Sequence, residues 1–498
     1  MNSPVDHQAL QSSEASWLAS ATWEGRAFSN GWTSLGQTAD VREPATGKRL
    51  GSVAMASGTD IATACAAARA AQRAWAGTAY DKRAAVLRKA AQLAETHRAE
   101  IVDWLVRESG SIGPKAEFEL AVTIKALYEA SAMPSQAQGQ VLPSEPGRMS
   151  LARRRPIGVI GVISPFNFPL YLAMRAVAPA LAIGNAVVLK PDPRTAVCGG
   201  FSIARLFEDA GLPPGVLHVL PGAGDAGEAL CKDPHVGMIQ FTGSTAAGRR
   251  VGKVAGEHLK KLSLELGGKN SLIVLDDADM DLAIANTTWA TYLHQGQICM
   301  SAGRVLVHSK IADEFVRRMS EKARNLPVGD PASGQVALGP LINQHQVDHA
   351  FGIVKRSVEQ GATLSAGGTA EGLFFKPTVL TGVKPGMAAF DEEIFGPVAS
   401  ITTFDSDEEA VKLANQTDFG LSAAILSRSV GRAMAIGEQL RVGLLHINDQ
   451  TVNDEVVNPF GGVGASGNGT SIGGPANWEE FTQWQWVTVK DTAPMYPL

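Results

Sequence analysis

The strongest constraint on this chain is a rhythm that sets in at residue 156. Short apolar runs recur there: IGVIGVI (157–163), NAVVLK (185–190), GVLHVL (215–220) and VGMIQF (236–241). Each is followed by a loop and a helix-like stretch. Short apolar strands that alternate with helices imply βαβ units and a parallel sheet. A second α/β region follows. NSLIVL (270–275) reads as a strand, DADMDLAIANTTWATYLH (277–294) as a helix opened by acidic residues, and the alternation runs to about 447. Upstream, residues 59–78 are alanine-rich and helical in character. Residues 81–108 carry one helix period, with Val86, Ala90, Leu93, Ala94, Ile101 and Leu105 on a common face. Helix-like runs are also expected to about 183 and over 195–210. Near the end, TQWQWVTVK (482–490) alternates strictly, as an exposed strand does. Such a strand either pairs with another chain or forms an edge within its own, and 130–155 is its expected partner element. There is no internal repeat.

At 498 residues, a scale of about 150 residues per domain suggests roughly three units. A net charge of −5 gives no basic surplus for phosphate backbones or anionic membranes, which argues against nucleic-acid binding. The N-terminus MNSPVDHQALQSSEASW lacks the cationic start and apolar core of a secretory signal. The longest apolar run, VAPALAIGNAVVL, has 13 residues where a spanning helix needs about 20. A soluble, cytoplasmic protein is expected. Cys65, Cys198, Cys231 and Cys299 are too far apart for a C-x-x-C zinc or redox pair and are read as free thiols.

Two glycine loops invite a phosphate. GAGDAG (222–227) matches G-x-G-x-x-G after a strand but lacks the acid expected about 20 residues on. FTGSTAAG (241–248) also follows a strand and opens a helix. Gly243 permits close backbone approach, Ser244 can donate, and Gly248 permits close packing. An ordinary capped helix fits that stretch equally well. GTSIG (469–473) matches the serine-hydrolase elbow, but no strand precedes it and no histidine follows it. His294, five residues before Cys299, has no further ligand nearby, so no metal site is expected and the histidine is read as solvated or C-capping. A nucleophilic Cys299 remains, with Glu265 in LSLELGGKN and Asn167 in SPFNFP as candidate helpers. A buried ion pair for Glu265 and a turn-forming role for Asn167 stand beside these readings.

Together these pieces resemble the NAD(P)-dependent aldehyde dehydrogenases. The resemblance rests on PFNFP (165–169), NAVVLKP (185–191), FTGSTAAG (241–248), LELGGKN (264–270), GQICMSAGR (296–304) preceded by Gln295, EEIFGPV (392–398) and NPFGG (458–462), which span nearly the whole chain in the family's order. It implies an α/β fold with three parts. A Rossmann-type cofactor domain covers 1–129 and 151–265, a catalytic domain covers 266–479, and small β oligomerisation arms lie at 130–150 and 480–498. It also implies that Cys299 is the nucleophile, Glu265 the base that activates the hydrolytic water, and Asn167 the oxyanion-stabilising amide. Lys190 would reach the adenosine ribose, and Ser244, between Gly243 and Gly248, the pyrophosphate. Glu393 and Phe395 would hold the nicotinamide ribose and ring, with Leu266, Ser164 and Phe166 completing the cofactor site. GAGDAG then becomes scaffolding.

The chain departs from the family at KPDPRTA, where Pro193 replaces the glutamate that many NAD-preferring members place three residues after the lysine. NAD is expected, with NADP left open. LKPDPRTAVCGG and WQWVTVKD look most like bacterial benzaldehyde dehydrogenases. An aromatic aldehyde is therefore expected as substrate, with Phe168, Tyr171, Leu293, Ile298 and Met300 lining an apolar funnel and 449–457 able to close it. Ordinary core packing is the competing role for each of these side chains. The alternatives are an aliphatic aldehyde or semialdehyde substrate, acyl transfer to coenzyme A, and a catalytically silent binding protein. A family member of this kind is expected as a homodimer or homotetramer.

Overall fold

A computed structural model describes residues 16–497. The segment 1–15, which carries most of the stretch read against a secretory signal, lies outside the described residues, as does Leu498.

The apolar runs after residue 156 form the expected parallel sheet. Its order is Lys261–Glu265, Val236–Thr242, Val159–Ile163, Ala186–Lys190 and Leu217–Val219, all parallel, followed by the antiparallel pair Arg26–Ser29 and Trp32–Ser34. Val159–Ile163 and Ala186–Lys190 are buried at every residue, as strands covered on both faces must be. The helix Pro169–Ile183 is buried along its whole length, so its sequence shows no polar stripe. It ends at Gly184, whose φ of 104° suits glycine alone. Asn185 then fastens the corner. Its side chain accepts from the Gly158 amide and donates to the carbonyls of Ala180 and Phe481.

A second sheet of seven strands follows, in the order Thr363–Ala366, Thr378–Thr381, Val398–Phe404, Arg304–His308, Ser271–Val274, Ser422–Leu426 and Leu444–Ile447. It is parallel except for its first pair. Its two faces carry separate apolar clusters, one around Phe390 and Phe404 and one around Phe315 and Tyr292. Among the described residues, no helix is long and apolar enough to cross a membrane.

Thr482–Val489 pairs antiparallel with Met149–Pro156 of the same chain, which also pairs with Gly139–Leu142. The strand thus pairs within its own chain, at one edge of a three-stranded sheet, and that sheet runs past the expected arm boundary at 150 to Pro156. Both faces of the sheet expose large apolar side chains: Val141 on one is 79% exposed, and Trp486 on the other is 69% exposed.

Two helices differ from expectation. The single period over 81–108 covers two helices, Tyr80–Thr96 and Arg98–Ser109, parted at His97, whose φ of −96° and ψ of 20° leave the helical region. Leu87 is fully buried where Val86 and Leu93 are only half-buried. The expected helix at 195–210 begins instead as a π-helical turn, Val197–Phe201, before the α-helix Ser202–Asp209. The turn packs tightly: a side chain on Gly199 would overlap Pro169, and one on Gly200 would overlap Pro191 and Val219.

Candidate active site

The carboxyl ends of the parallel strands bring Ser164, Lys190, Gly243 and Glu265 to one edge of the first sheet. In an open α/β sheet this is where a ligand sits. Ser244 caps the helix Thr245–Glu257, its hydroxyl accepting from the Ala247 amide at 3.3 Å. A side chain on Gly248 would overlap Leu266, so the glycine lets helix and strand approach. Lys190 is buried and donates to the Gly222 carbonyl at 2.8 Å, so the GAGDAG loop holds the lysine. Burial pushes the Lys190 ammonium below its usual range. Arg194 grips Asp192 with two bonds of 2.8 and 2.6 Å and lies 4.3 Å above the Phe166 ring.

The helix over Met280–Tyr292 is capped by Asp279 and stops short of His294. Three successive residues then adopt left-handed backbone: His294, Gln295 and Gly296, with φ of 49°, 56° and 69°. For the two non-glycine residues this costs about 1–3 kcal/mol each. The turn is held by its neighbours. Gln295 donates to the carbonyls of Gly110 at 3.0 Å and Pro340 at 2.7 Å, and Gln297 accepts from the Ile342 amide. His294 is neither solvated nor a cap. It is wholly buried edge-on to Phe168, and burial together with the Lys115 charge holds its ring well below the usual histidine range. Cys299 emerges from this turn half-buried. Its carbonyl accepts from Asn270 at 2.7 Å.

Cys299 lies where two cavities meet. On one side is a cleft of about 320 Å3 lined by Phe166, Gly243, Ser244, Leu266, Glu393 and Phe395. On the other is an apolar slot lined by Phe168, Tyr171, Ile298, Met300, Val452 and Phe460. Asn167, Leu172 and Cys299 belong to both. Asn167 gives one amide hydrogen to the Gln297 carbonyl at 2.8 Å, which leaves its second for an oxyanion. Leu293 lies outside the lining of either cavity, as do Lys190, Gly248, Ser164 and Glu265.

Burial governs the electrostatics. It pushes the Glu265 carboxyl well above the usual range, and both carboxylate oxygens are free of protein partners. Burial, then the charges of Glu393 and Glu265, push the Cys299 thiol up to about 12, and the Arg175 guanidinium opposes them. Burial also lifts Glu393 to about 7, against the Gly268 amide that donates to it at 3.0 Å. Arg175 was not legible in the sequence. It is a buried cation inside an apolar helix, paired with Asp454 at 2.9 Å and stacked 4.5 Å over Phe460. Tyr171 donates to the same carboxylate at 3.0 Å. Val452 and Asp454 place the 449–457 segment on the slot. Phe118, Val122 and Phe460 also line it, and no periodicity marked them.

Comparison with known proteins decides the family. A profile described as the Aldehyde dehydrogenase family matches residues 32–487. The chain belongs to the aldehyde dehydrogenase family. It is 55% identical over 484 residues to a vanillin dehydrogenase of Amycolatopsis, a match covering 97% of this chain and 100% of that protein. It is 49% identical over 477 residues to the benzaldehyde dehydrogenase [NAD(+)] of Pseudomonas putida, covering 95% of this chain and 98% of that one. The crystal structure of a salicylaldehyde dehydrogenase from Pseudomonas putida G7, complexed with salicylaldehyde, superposes with a TM-score of 0.92 at 34% identity, covering 96% of this chain and 100% of that chain.

The turn before Cys299 gives a direct test. A methyl on Gly296 would sit inside the contact radius of the Gly396 carbonyl and would also face a strained φ. Gly296→Ala is expected to displace Cys299 and lower kcat by about 10²-fold, the usual effect of a misplacement near 1 Å. Steady-state kinetics of the purified variant check this, and an unchanged kcat would show that the turn does not set the thiol's position.

Proposed function

We propose that this aldehyde dehydrogenase oxidises aromatic aldehydes to carboxylic acids, with NAD as acceptor and Cys299 as nucleophile. One observation carries the reading: the thiol stands at the junction of a polar cleft and an apolar slot. An aryl group in the slot would present its carbonyl to sulfur from one side, with the acceptor on the other. Relatives named for vanillin, benzaldehyde and salicylaldehyde support the aromatic ring.

The cleft suits a dinucleotide. Ser244 opens a helix whose N-terminal amides favour pyrophosphate, and the buried Ser164 hydroxyl has no protein partner. Lys190 would hold the adenosine ribose, Glu393 the nicotinamide ribose, and Leu266, Phe166 and Phe395 would border the ring. Bound there, NAD supplies the ring that takes up hydride. Arg194 is already committed to Asp192, which leaves it poorly placed for a 2′-phosphate and supports NAD over NADP.

The chain's own residues supply the rest. Cys299 attacks the carbonyl as thiolate, and the Arg175 charge favours that form. The second Asn167 hydrogen and the Cys299 amide bind the alkoxide, a contribution of about 10²–10³ in rate per donor. The thioester that follows is opened by water, from which Glu265 takes a proton. Its unpartnered oxygens are free to hold that water. Hydrolysis, and not transfer to coenzyme A, follows from a base in this position. In this reading residues 16–129 with 157–265 form the cofactor unit, 266–479 the catalytic unit, and the arms at 130–156 and 480–497 join copies into a dimer or tetramer in the cytoplasm.

The reading is tested with a panel of aryl and alkyl aldehydes, each with NAD and NADP and without coenzyme A. Aryl aldehydes with NAD are expected to give the highest kcat/KM, and no NADH from benzaldehyde would overturn the reading. Glu265 fixes the pH profile. Its raised pKa means that the ionised fraction grows as pH rises beyond the ordinary carboxylate range, so kcat climbs with pH. Glu265→Gln is expected to lower kcat by about 10²–10⁴-fold, to abolish that limb, and to leave a burst of one NADH per site in stopped-flow. A Trp484→Glu, Trp486→Glu double variant is expected to sediment as a smaller species than the parent, because both indoles lie on the exposed arm face.

A further inference from the structure

The helix Gly113–Ala132 carries two charged side chains, Lys115 and Glu119, that are wholly removed from solvent and paired at 2.6 Å. Neither lines the cleft or the slot, and neither is asked for by the chemistry above. Their remaining contacts all converge on the loop that carries Asn167. The Lys115 ammonium donates to the Asn167 carbonyl at 2.7 Å and lies 4.0 Å from the centre of the Phe168 ring. The Glu119 carboxylate accepts from the amides of Leu170 at 2.9 Å and Tyr171 at 3.2 Å. These are the opening amides of the helix Pro169–Ile183, whose own N-cap residue, Phe168, offers no side-chain acceptor. A distant carboxylate therefore caps that helix, and a carboxylate at a helix N-terminus is favoured by the dipole as well as by the hydrogen bonds.

We infer that Lys115 and Glu119 are positioning residues that fix the Asn167 amide against the Cys299 turn. The inference rests on the role proposed above for Asn167. A fully buried ion pair gains little stability over apolar residues of the same size, because desolvation offsets the attraction. What it does supply is location. Lys115 holds the loop at the Asn167 carbonyl, Glu119 holds the two residues after Pro169, and Asn167 itself reaches the Gln297 carbonyl across the site at 2.8 Å. The side chain between these anchors has one orientation. Without the pair, the Asn167 carbonyl and two helix amides are left buried without their partners, and the loop shifts to satisfy them.

A double-mutant cycle tests this. Lys115→Met and Glu119→Gln are each made in the parent chain and in Asn167→Ala. In the parent, Lys115→Met is expected to lower kcat by about 10–10²-fold with aldehyde KM changed by less than about 3-fold. The rate of Cys299 alkylation by iodoacetamide, which needs no oxyanion donor, stays within about 2-fold of the parent. In Asn167→Ala the same substitutions are expected to lower kcat no further, since residues that act as one unit are not additive. Equal losses in both backgrounds, or a parallel fall in alkylation rate, would show a general structural role and overturn the inference. Glu119→Gln is nearly isosteric and serves where Lys115→Met does not fold. Its amide turns a donor towards Lys115, so full kcat in that variant also overturns the inference. If the parent oxidises no aldehyde, the proposed function has failed instead.

Discussion

Everything at this site depends on the left-handed turn at His294, Gln295 and Gly296. Two L-residues held there cost several kcal/mol together, on the order of 1–3 each. The turn persists because it is tied from outside. Gln295 reaches two carbonyls from distant segments, Gly110 and Pro340, and Gln297 accepts from Ile342. Gly296 lies against the Gly396 carbonyl, one residue after Phe395, itself left-handed at φ 50°. The cysteine turn and the Phe395 loop are therefore stacked backbone on backbone. One wall of the cleft and the thiol cannot move independently.

Burial then does most of the electrostatic work, and it acts in one direction on every acid. Cys299, Glu265 and Glu393 are all pushed towards their protonated forms, and the charges of the two carboxylates raise the thiol further. The Arg175 guanidinium acts against this for both Cys299 and Glu265. Its own charge is secured by Asp454, and two aromatic rings, Tyr171 and Phe460, lie against it. A resting thiol with a pKa near 12 is a protonated and poorly reactive one. Reactivity in such a site follows what enters the cavities, because the charge balance around sulfur is set by few groups.

The sheet and its edge were legible because β-branched runs of four to seven residues have few alternatives when loops and helices separate them. Cys299, Glu265 and Asn167 were legible through motifs, at three distant places that the strand ends and one turn bring together. Other parts were hidden for physical reasons. His97 breaks a helix without a glycine or proline, so the periodicity of 81–108 runs through it. His294 looked like a helix end because the left-handed turn that buries it has no residue signature except Gly296. Lys115, Glu119 and Arg175 sit in helices as charges that pattern assigns to water, yet each is buried. Only knowledge of what lies across from them shows that they face other groups. The terminal strand had the right pattern, but pairing within a chain and between chains leaves the same alternation.

The slot's polar groups constrain what it can discriminate. Tyr171 and Arg175 both bond Asp454, and apart from Asn167 and Cys299 at the junction with the cleft the other walls are apolar. A bare aryl ring therefore enters without stripping a partner from any buried polar group. A pocket of this kind distinguishes sizes weakly, at about 1–3 kcal/mol per methylene, and tolerates an added hydroxyl far better than a polar site tolerates losing one. Breadth among aryl aldehydes follows from the lining. On the proposed mechanism, strict demands remain only at the carbonyl, where Asn167 and Cys299 would both have to be in place.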